Sequence, residues 1–511
     1  MDSFWQMAAG FADPLFLFAL AAGTGWGVLV GALPGLGPVL AISICLPFTY
    51  SLSPMAGMAL IIGCYCGSVY GGSISAILIN TPGTPQAAAT TIDGYALTRK
   101  GQAGIALGWA NVASVVGGLF SCVVLILLGP RLADFALNFG PIETFAMILL
   151  ALTCIIGVSS GSLLKGLLAG ILGLFLAGVG ADPLFGELRF EYGIFELSAG
   201  VDLISMVIGL FALSEVLQRV ASPGAQEGSS FDGATFTGMR FPSLRDLWAR
   251  KKLLLKSCCI GTGIGILPGT GAAVSCFISY AEAKRSSPNR ENMGHGEIDG
   301  VIAPQAADNA VTGGALIPTL ALGLPGDAIT AIMLATLTIQ GITPGVRLMI
   351  DSPDIVYGVF AALILANFLL VPWGIGISRA FARLLRIPEP LLFAGVIVLC
   401  LLGAWGARSN PFDLYVAVGA GLFGLALKLW KGPVAPMVIG LVLGNQVEIN
   451  LRQGIILAKG DWIEFLTYST IAMILFAVTA LVLLVPLIRS AVAARGAHEK
   501  TVRGTDGASH H

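Results

Sequence analysis

From residue 14 to residue 488 the chain repeats one pattern: uncharged, mostly apolar runs separated by short polar stretches that carry the charge. Candidate spans cover 14–33, 39–78, 104–129, 141–160, 163–180, 201–218, 252–283, 301–346, 355–378, 390–407, 411–430, 433–447 and 467–488. About 20 apolar residues in a helix cross the hydrocarbon core of a bilayer, and only closed hydrogen-bonding structures such as helices survive there. The pattern predicts an all-α polytopic membrane protein with about 12 transmembrane segments. Segments 39–78 and 301–346 are too long for one helix and are expected to be interrupted.

The interruptions carry the information. Residues 79–90 read INTPGTPQAAAT, a helix-breaking cluster that follows 24 uncharged residues, 55–78. The same kind of break returns in LPGLG (33–37), LPGTG (267–271) and LPGD (324–327). Proline lacks the helical donor and glycine disfavours helix, so each break predicts unwound backbone inside an apolar segment. GALPGLGP (31–38) matches GILPGTGA (265–272), and GGSISAILINTPGTP (71–85) matches GGALIPTLALGLPGDA (313–328), in the same order. Two matched pairs in order predict an internal repeat: 1–220 and 251–488 as two transmembrane repeats, 221–250 as a cytoplasmic linker and 489–511 as a cytoplasmic tail.

Charge orients the spans, because cytoplasmic loops carry excess Lys and Arg. Arg99/Lys100, Lys165, the 219–256 stretch, Arg379/Arg383/Arg386, Lys428/Lys431 and the 489–503 tail read as cytoplasmic; 131–134, 182–202, 351–354 and 448–464 read as external. Segment 252–283 has cationic flanks on both sides and LPGTG in its middle, which predicts a re-entrant hairpin. Five crossings between the two hairpins invert the second repeat relative to the first. The amino terminus, flanked by Asp2 and Asp13, is then expected outside, and MDSFWQMAAG lacks the basic region of a cleavable signal. Inverted repeats with broken helices are the architecture of secondary transporters, and their paired Gly/Pro breaks point to the binding site.

Composition narrows the classes. Hydrophobic residues make up 56% and charged residues 11%, with net charge −1 and mean hydropathy +0.86, which argues for a lipid bilayer as solvent and against a nucleic-acid partner. The nine cysteines lie in or beside apolar segments and read as small packing residues rather than disulfides or zinc ligands. HExxH and GK[ST] are absent, so a membrane metalloprotease or an ATPase finds no support and no enzyme is expected. GTGIG at 261–265 lacks the strand-turn-helix context of a dinucleotide site.

The candidate chemistry sits in the four breaks, expected to converge on a polar cavity. Free amides at half-helix amino ends suit a carboxylate, while freed carbonyls and hydroxyls suit a cation. The candidates are Pro34, Gly35 and Gly37; Asn80, Thr81, Pro82, Gly83 and Thr84; Pro268, Gly269, Thr270 and Gly271; and Pro325, Gly326 and Asp327. Thr81, Thr84 and Asp327 are the candidate Na⁺ ligands. Asp327 is the only acid within a Pro-Gly tip, and a membrane-embedded carboxylate is a functional hypothesis by default; capping the helix that starts at Ala328 is the other reading. Asp308 and Asn309 either line the cavity or cap a helix. Ser73 faces the cavity or serves close helix packing. A pairing of Asp93 with Arg99 fits their spacing.

GALPGLGP, INTPGTPQAAATTIDGYALTRKGQAGIALG (79–108), GILPGTGAAVSCFISYAEAKR (265–285) and APQAADNAVTGGALIPTLALGLPGDA (303–328) resemble the large permease subunit of bacterial tripartite tricarboxylate transporters, the TctA family. The resemblance implies a multi-pass protein of the bacterial inner membrane. It works with a small four-span membrane subunit and a periplasmic solute-binding protein that delivers citrate or another carboxylate. It needs no cofactor; a Na⁺ or H⁺ gradient drives uptake. The Pro-Gly pairs of the family's tips fall on Pro34–Gly35, Pro82–Gly83, Pro268–Gly269 and Pro325–Gly326. An elevator motion of part of each repeat suits the two-hairpin layout. The alternative is a stand-alone carrier or channel for another small anion.

Overall fold

The structure, a computed structural model, describes residues 13–158, 163–221, 238–268, 272–384 and 388–484. Among the described residues, six helices are long and apolar enough to cross a membrane, and six shorter apolar helices accompany them. Strand is confined there to one antiparallel pair, Gly180–Ala181 with Leu188–Arg189. The expected all-α membrane architecture is therefore what the described residues form.

In the first half, α1 (Pro14–Ala32) is followed by α2 (Gly37–Cys45), α3 (Pro54–Ile79), α4 (Ala88–Arg99), α5 (Ala103–Ala136), α6 (Pro141–Val158) and α7 (Leu163–Ala177), and α8 (Leu203–Ala221) ends it. The second half begins with a short α9 (Leu244–Ala249). It then runs through α10 (Lys251–Ile266), α11 (Ala272–Ser286), α12 (Asp299–Leu322), α13 (Ala328–Ile339), α14 (Pro353–Leu384), α15 (Glu389–Arg408), α16 (Pro411–Leu429) and α17 (Ala435–Leu457). The sequence explains the boundaries. Asp13 caps α1 with Pro14 behind it, and Ser53 caps α3 ahead of Pro54, positions where a missing amide costs nothing. Segment 39–78 breaks at a 3₁₀ turn, Leu46–Ser51. α3 ends on left-handed Asn80 and α12 on left-handed Gly323, so matched helices stop in the same way.

The helices pack in exchanged pairs. Within each half, α1 lies along α3 and α10 along α12. Between halves, α5 packs on α12 while α14 packs on α3; α2 meets α13 while α11 meets α4; α7 packs on α17 while α16 packs on α8. The α1–α3 seam is built on glycine: a Cβ on Gly27 would stand 2.3 Å from the Cys64 carbonyl oxygen, and one on Gly67 2.3 Å from that of Thr24. Small residues let backbones approach where lipid gives no hydrophobic drive between helices. Seven of the nine cysteines are buried, in keeping with a packing role.

Of the expected linker 221–250, residues 222–237 lie outside the described residues. Beyond them the Arg240 amide donates to the Gly104 carbonyl at 2.8 Å, an approach that the missing side chains of Gly104 and Gly108 permit. One expectation differs from the structure. Asp93 does not pair with Arg99. Its fully buried carboxylate instead accepts from Tyr280 Oη at 2.8 Å and from the amides of Gly294, Gly296 and Glu297 at 2.7–3.0 Å. Three converging amides and a phenol satisfy a buried carboxylate better than one mobile cation.

Candidate functional site

The first two breaks meet. A cavity of about 670 Å³ is lined by Gly35, Gly37 and their neighbours to Leu40, by Pro82, Gly83, Thr84 and Pro85, by Ala328 at the start of α13, and by Glu215, Lys428 and Gly432–Ala435. Gly35 and Gly37 hold φ of +77° and +68°, a region that glycine alone enters freely. Gly83 closes against α1 and α3: its amide donates to the Gly72 carbonyl at 3.2 Å, and a Cβ there would stand 2.0 Å from the Gly31 oxygen. Thr84 is buried and its hydroxyl accepts from the Ala87 amide at 3.3 Å.

Three helices begin at this cavity. α2 and α17 start with no side chain capping them. Pro38 and Pro436 bring no amide, and in α17 the Met437 and Val438 amides donate to the Val434 carbonyl. Of that first turn the Ala435 amide remains, while Gly37, Val39 and Leu40 of α2 line the cavity. α13 starts at Ala328 and is capped by Asp327, whose Oδ1 accepts from the Thr330 amide at 2.8 Å. The other carboxylate oxygen, Oδ2, accepts from Tyr65 Oη on α3 at 2.8 Å. The capping reading of Asp327 thus holds. Lys428 supplies a full positive charge in the wall.

The third break stands apart. Pro268 lines a second cavity of about 640 Å³ with Leu324, Pro318 and apolar side chains of α5 and α6. Among the described residues, Pro268 and Leu324 line this second cavity, whereas Gly35, Gly37 and Pro82–Thr84 line the first, where Ala328, just past the fourth break, joins them. Gly269, Thr270 and Gly271 lie outside the described residues. Pro325 and Gly326 are buried, with the Gly326 amide donating to Thr319 Oγ1 at 3.4 Å.

The chain matches the Tripartite tricarboxylate transporter TctA family over residues 17–439. The chain belongs to the TctA family. It is 35% identical over 502 residues, 96% of this chain and 98% of the other, to a protein of Agrobacterium vitis described as an uncharacterized 52.8 kDa protein in the TAR-I ttuC′ 3′ region. It is 34% identical over 232 residues, 45% of this chain and 96% of the other, to an uncharacterized protein in the TAR-II ttuC′ 3′ region of the same organism. No solved structure matches. Membership makes this a multi-pass membrane transport protein of a tripartite system, and a transporter rather than an enzyme.

The remaining candidates of this TctA-family chain divide sharply. Ser73 is fully buried and its hydroxyl donates to the Tyr70 carbonyl of its own helix at 2.7 Å, a packing role. Asn80 is exposed as the left-handed residue ending α3, and Thr81 Oγ1 donates to the Ile79 carbonyl at 3.3 Å. Neither Asn80 nor Thr81 lines the cavity that Thr84 does. Asp308 and Asn309, far from any cap, sit mid-way along α12 at 0% exposure. Both Asp308 oxygens and Asn309 Oδ1 are buried without a hydrogen-bond partner, with the Cys276 thiol beside Asp308.

Sequence reasoning missed Glu215, Arg219 and Lys428 as site residues. Arg219 Nη1 donates to the Pro34 carbonyl at 3.2 Å, directly at the first break. The available signal was an acid and a base four residues apart, Glu215 and Arg219, at the end of an apolar run.

Proposed function

We propose that this chain is the large membrane subunit of a tripartite secondary transporter that imports tricarboxylates or related carboxylates. The substrate occupies the 670 Å³ cavity. One observation carries the reading: the uncapped amino ends of α2 and α17 and the ammonium of Lys428 face the same cavity. Helix amino ends carry partial positive charge from unpaired amides and favour anions, and a cationic side chain reinforces them. Gly35, Gly37, Gly83 and Thr84 bring backbone to the ligand.

A Na⁺ or H⁺ gradient drives uptake in this reading, and Asp308 is the better candidate for the coupling cation than Thr81, Thr84 and Asp327. A fully buried carboxylate with only the weak Cys276 thiol beside it is costly as an anion and suits a proton or a metal cation, whereas both oxygens of Asp327 are already engaged. The halves 1–220 and 251–488 act as inverted repeats in the inner membrane of a bacterium, the exchanged helix packing supporting two-fold related copies. One part of each repeat moves against the other in elevator fashion. A periplasmic solute-binding protein delivers substrate, and a small four-span subunit completes the assembly.

The test is uptake of labelled citrate into vesicles holding this chain and its two partners. Saturable, gradient-driven accumulation, competed by other di- and tricarboxylates, is expected. Non-saturating flux that follows only the citrate gradient would instead identify a channel and end the carrier reading.

A further inference from the structure

Three charged side chains from distant positions meet over the first Pro-Gly break. Glu215 Oε2 accepts from Lys428 Nζ at 2.6 Å, and its Oε1 accepts from Arg219 Nε at 3.4 Å. Arg219 also holds the break itself through the Pro34 carbonyl. Gly35 makes room for this: a Cβ there would stand 1.4 Å from Arg219 Nη2. The side chains are 29% (Glu215), 17% (Lys428) and 22% (Arg219) exposed. This is far from the fully solvated pair whose worth is close to nothing. A helix irregularity prepares the position, since the wide π turn Ile208–Leu213 of α8 ends one residue before Ser214 and Glu215, and such turns re-aim the side chains that follow.

The charges sum to +1, two cations against one carboxylate. Glu215 and Lys428 both line the cavity, where the uncapped starts of α2 and α17 add partial positive charge. The wall therefore attracts an anion even with Glu215 in place, and the group that already sits between the cations is itself a carboxylate. We infer that Glu215 is an internal stand-in for a substrate carboxylate. It holds Lys428 and Arg219 in position before substrate arrives and yields them to an incoming carboxylate, which then reaches the Pro34–Gly35 break. Two cations and two helix ends favour substrates with two or three carboxylates over those with one. This inference rests on reading the cavity as the carboxylate site.

The experiment measures binding of citrate, succinate and acetate to the purified full chain in nanodiscs by calorimetry, with the ligand-free melting temperature of each variant recorded alongside. Glu215→Gln keeps the side-chain shape and removes the competitor, so citrate is expected to bind about tenfold more tightly. Lys428→Gln is expected to weaken citrate by about tenfold or more and acetate by much less, with Lys428→Arg restoring most of the loss. The inference is overturned if Glu215→Gln binds citrate no better than the unaltered chain, or if Lys428→Gln weakens acetate as much as citrate. Should Lys428→Gln lower the ligand-free melting temperature strongly, Glu215→Gln and Lys428→Arg decide alone. If neither the unaltered chain nor any variant binds a carboxylate, the cavity reading itself fails. If the unaltered chain binds and only the tightening is missing, Glu215 alone loses its role.

Discussion

Asp327 and Asp93 look alike in the sequence, each an acid near a helix-breaking or boundary motif, and the structure gives them parallel work. Each carboxylate joins the two halves through a tyrosine: Tyr65 of the first half to Asp327 of the second, and Tyr280 of the second half to Asp93 of the first. Asp327 was legible as important because it is the only acid within a Pro-Gly tip. Its partner was not, because Tyr65 lies 262 residues away in a run with no periodicity to single it out. Removing the Tyr65 hydroxyl deletes one hydrogen bond to a charged group, worth about 1.5–3 kcal/mol. Tyr65→Phe is therefore expected to lower the melting temperature of the full chain and to slow citrate uptake, both measurable in one preparation. Asp308→Asn should behave oppositely in stability. It removes a buried carboxylate that has only the weak Cys276 thiol beside it, so the melting temperature is expected to hold or rise. Uptake driven by the cation gradient is lost while citrate exchange at equilibrium survives. Gradient-driven uptake that persists in Asp308→Asn would clear Asp308 of the coupling role.

At the scale of elements, the breaks were legible to within a few residues, because proline and glycine announce themselves through backbone chemistry that needs no tertiary context. What the breaks meet was not legible. Pro34 and Pro82 converge because α1 and α3 are pressed together along a glycine seam, and Pro268 falls outside that seam. The cavity wall on the far side comes from α8, α16 and α17, which carry none of the four breaks. Gly83 is the keystone of this arrangement, lying against the Gly31 oxygen at a distance that no Cβ tolerates. Gly83→Ala must push the second break away from α1, and is expected to cost about 1–3 kcal/mol of stability together with most of the citrate uptake. Gly263→Ala is the matched control: its Cβ would meet nothing within 4 Å on a regular helix, and it is expected to hold or raise the melting temperature. Equal losses in both variants would show that helix glycines are generally intolerant and that the break has no special place.

At the scale of the whole molecule, ion pairs join loops that the charge pattern assigns to one side of the membrane. Arg219 and Lys428, both read as cytoplasmic, share Glu215; Asp182 and Arg189, read as external, share a cluster with Glu448 and Arg452, also read as external. Loop charge grouped these loops as their ion pairs do, while the exact partners depended on packing that hydropathy does not encode. The external cluster makes a pH prediction. Two local amides, Leu184 first, hold the Asp182 carboxyl at about 2, with Phe185 and the Arg452 guanidinium adding to the effect. A carboxyl whose folded value lies below its unfolded one contributes stability above the unfolded value, near pH 4, and loses it as pH falls through the folded value. The 180–189 hairpin is therefore expected to stay fastened to α17 from pH 8 down to about pH 4 and to loosen between about pH 4 and pH 2. Pepsin, active in that interval, reads the change as accelerating cleavage within 183–195. Asp182→Asn keeps the amide-accepting oxygen but gives up the charge that Arg452 and Arg189 pair with. Cleavage in Asp182→Asn should then be faster at pH 4 and nearly independent of pH below it. A profile in Asp182→Asn as steep as that of the unaltered chain would move the acid sensitivity to another carboxylate of the cluster, Glu448 being the one that both arginines also hold.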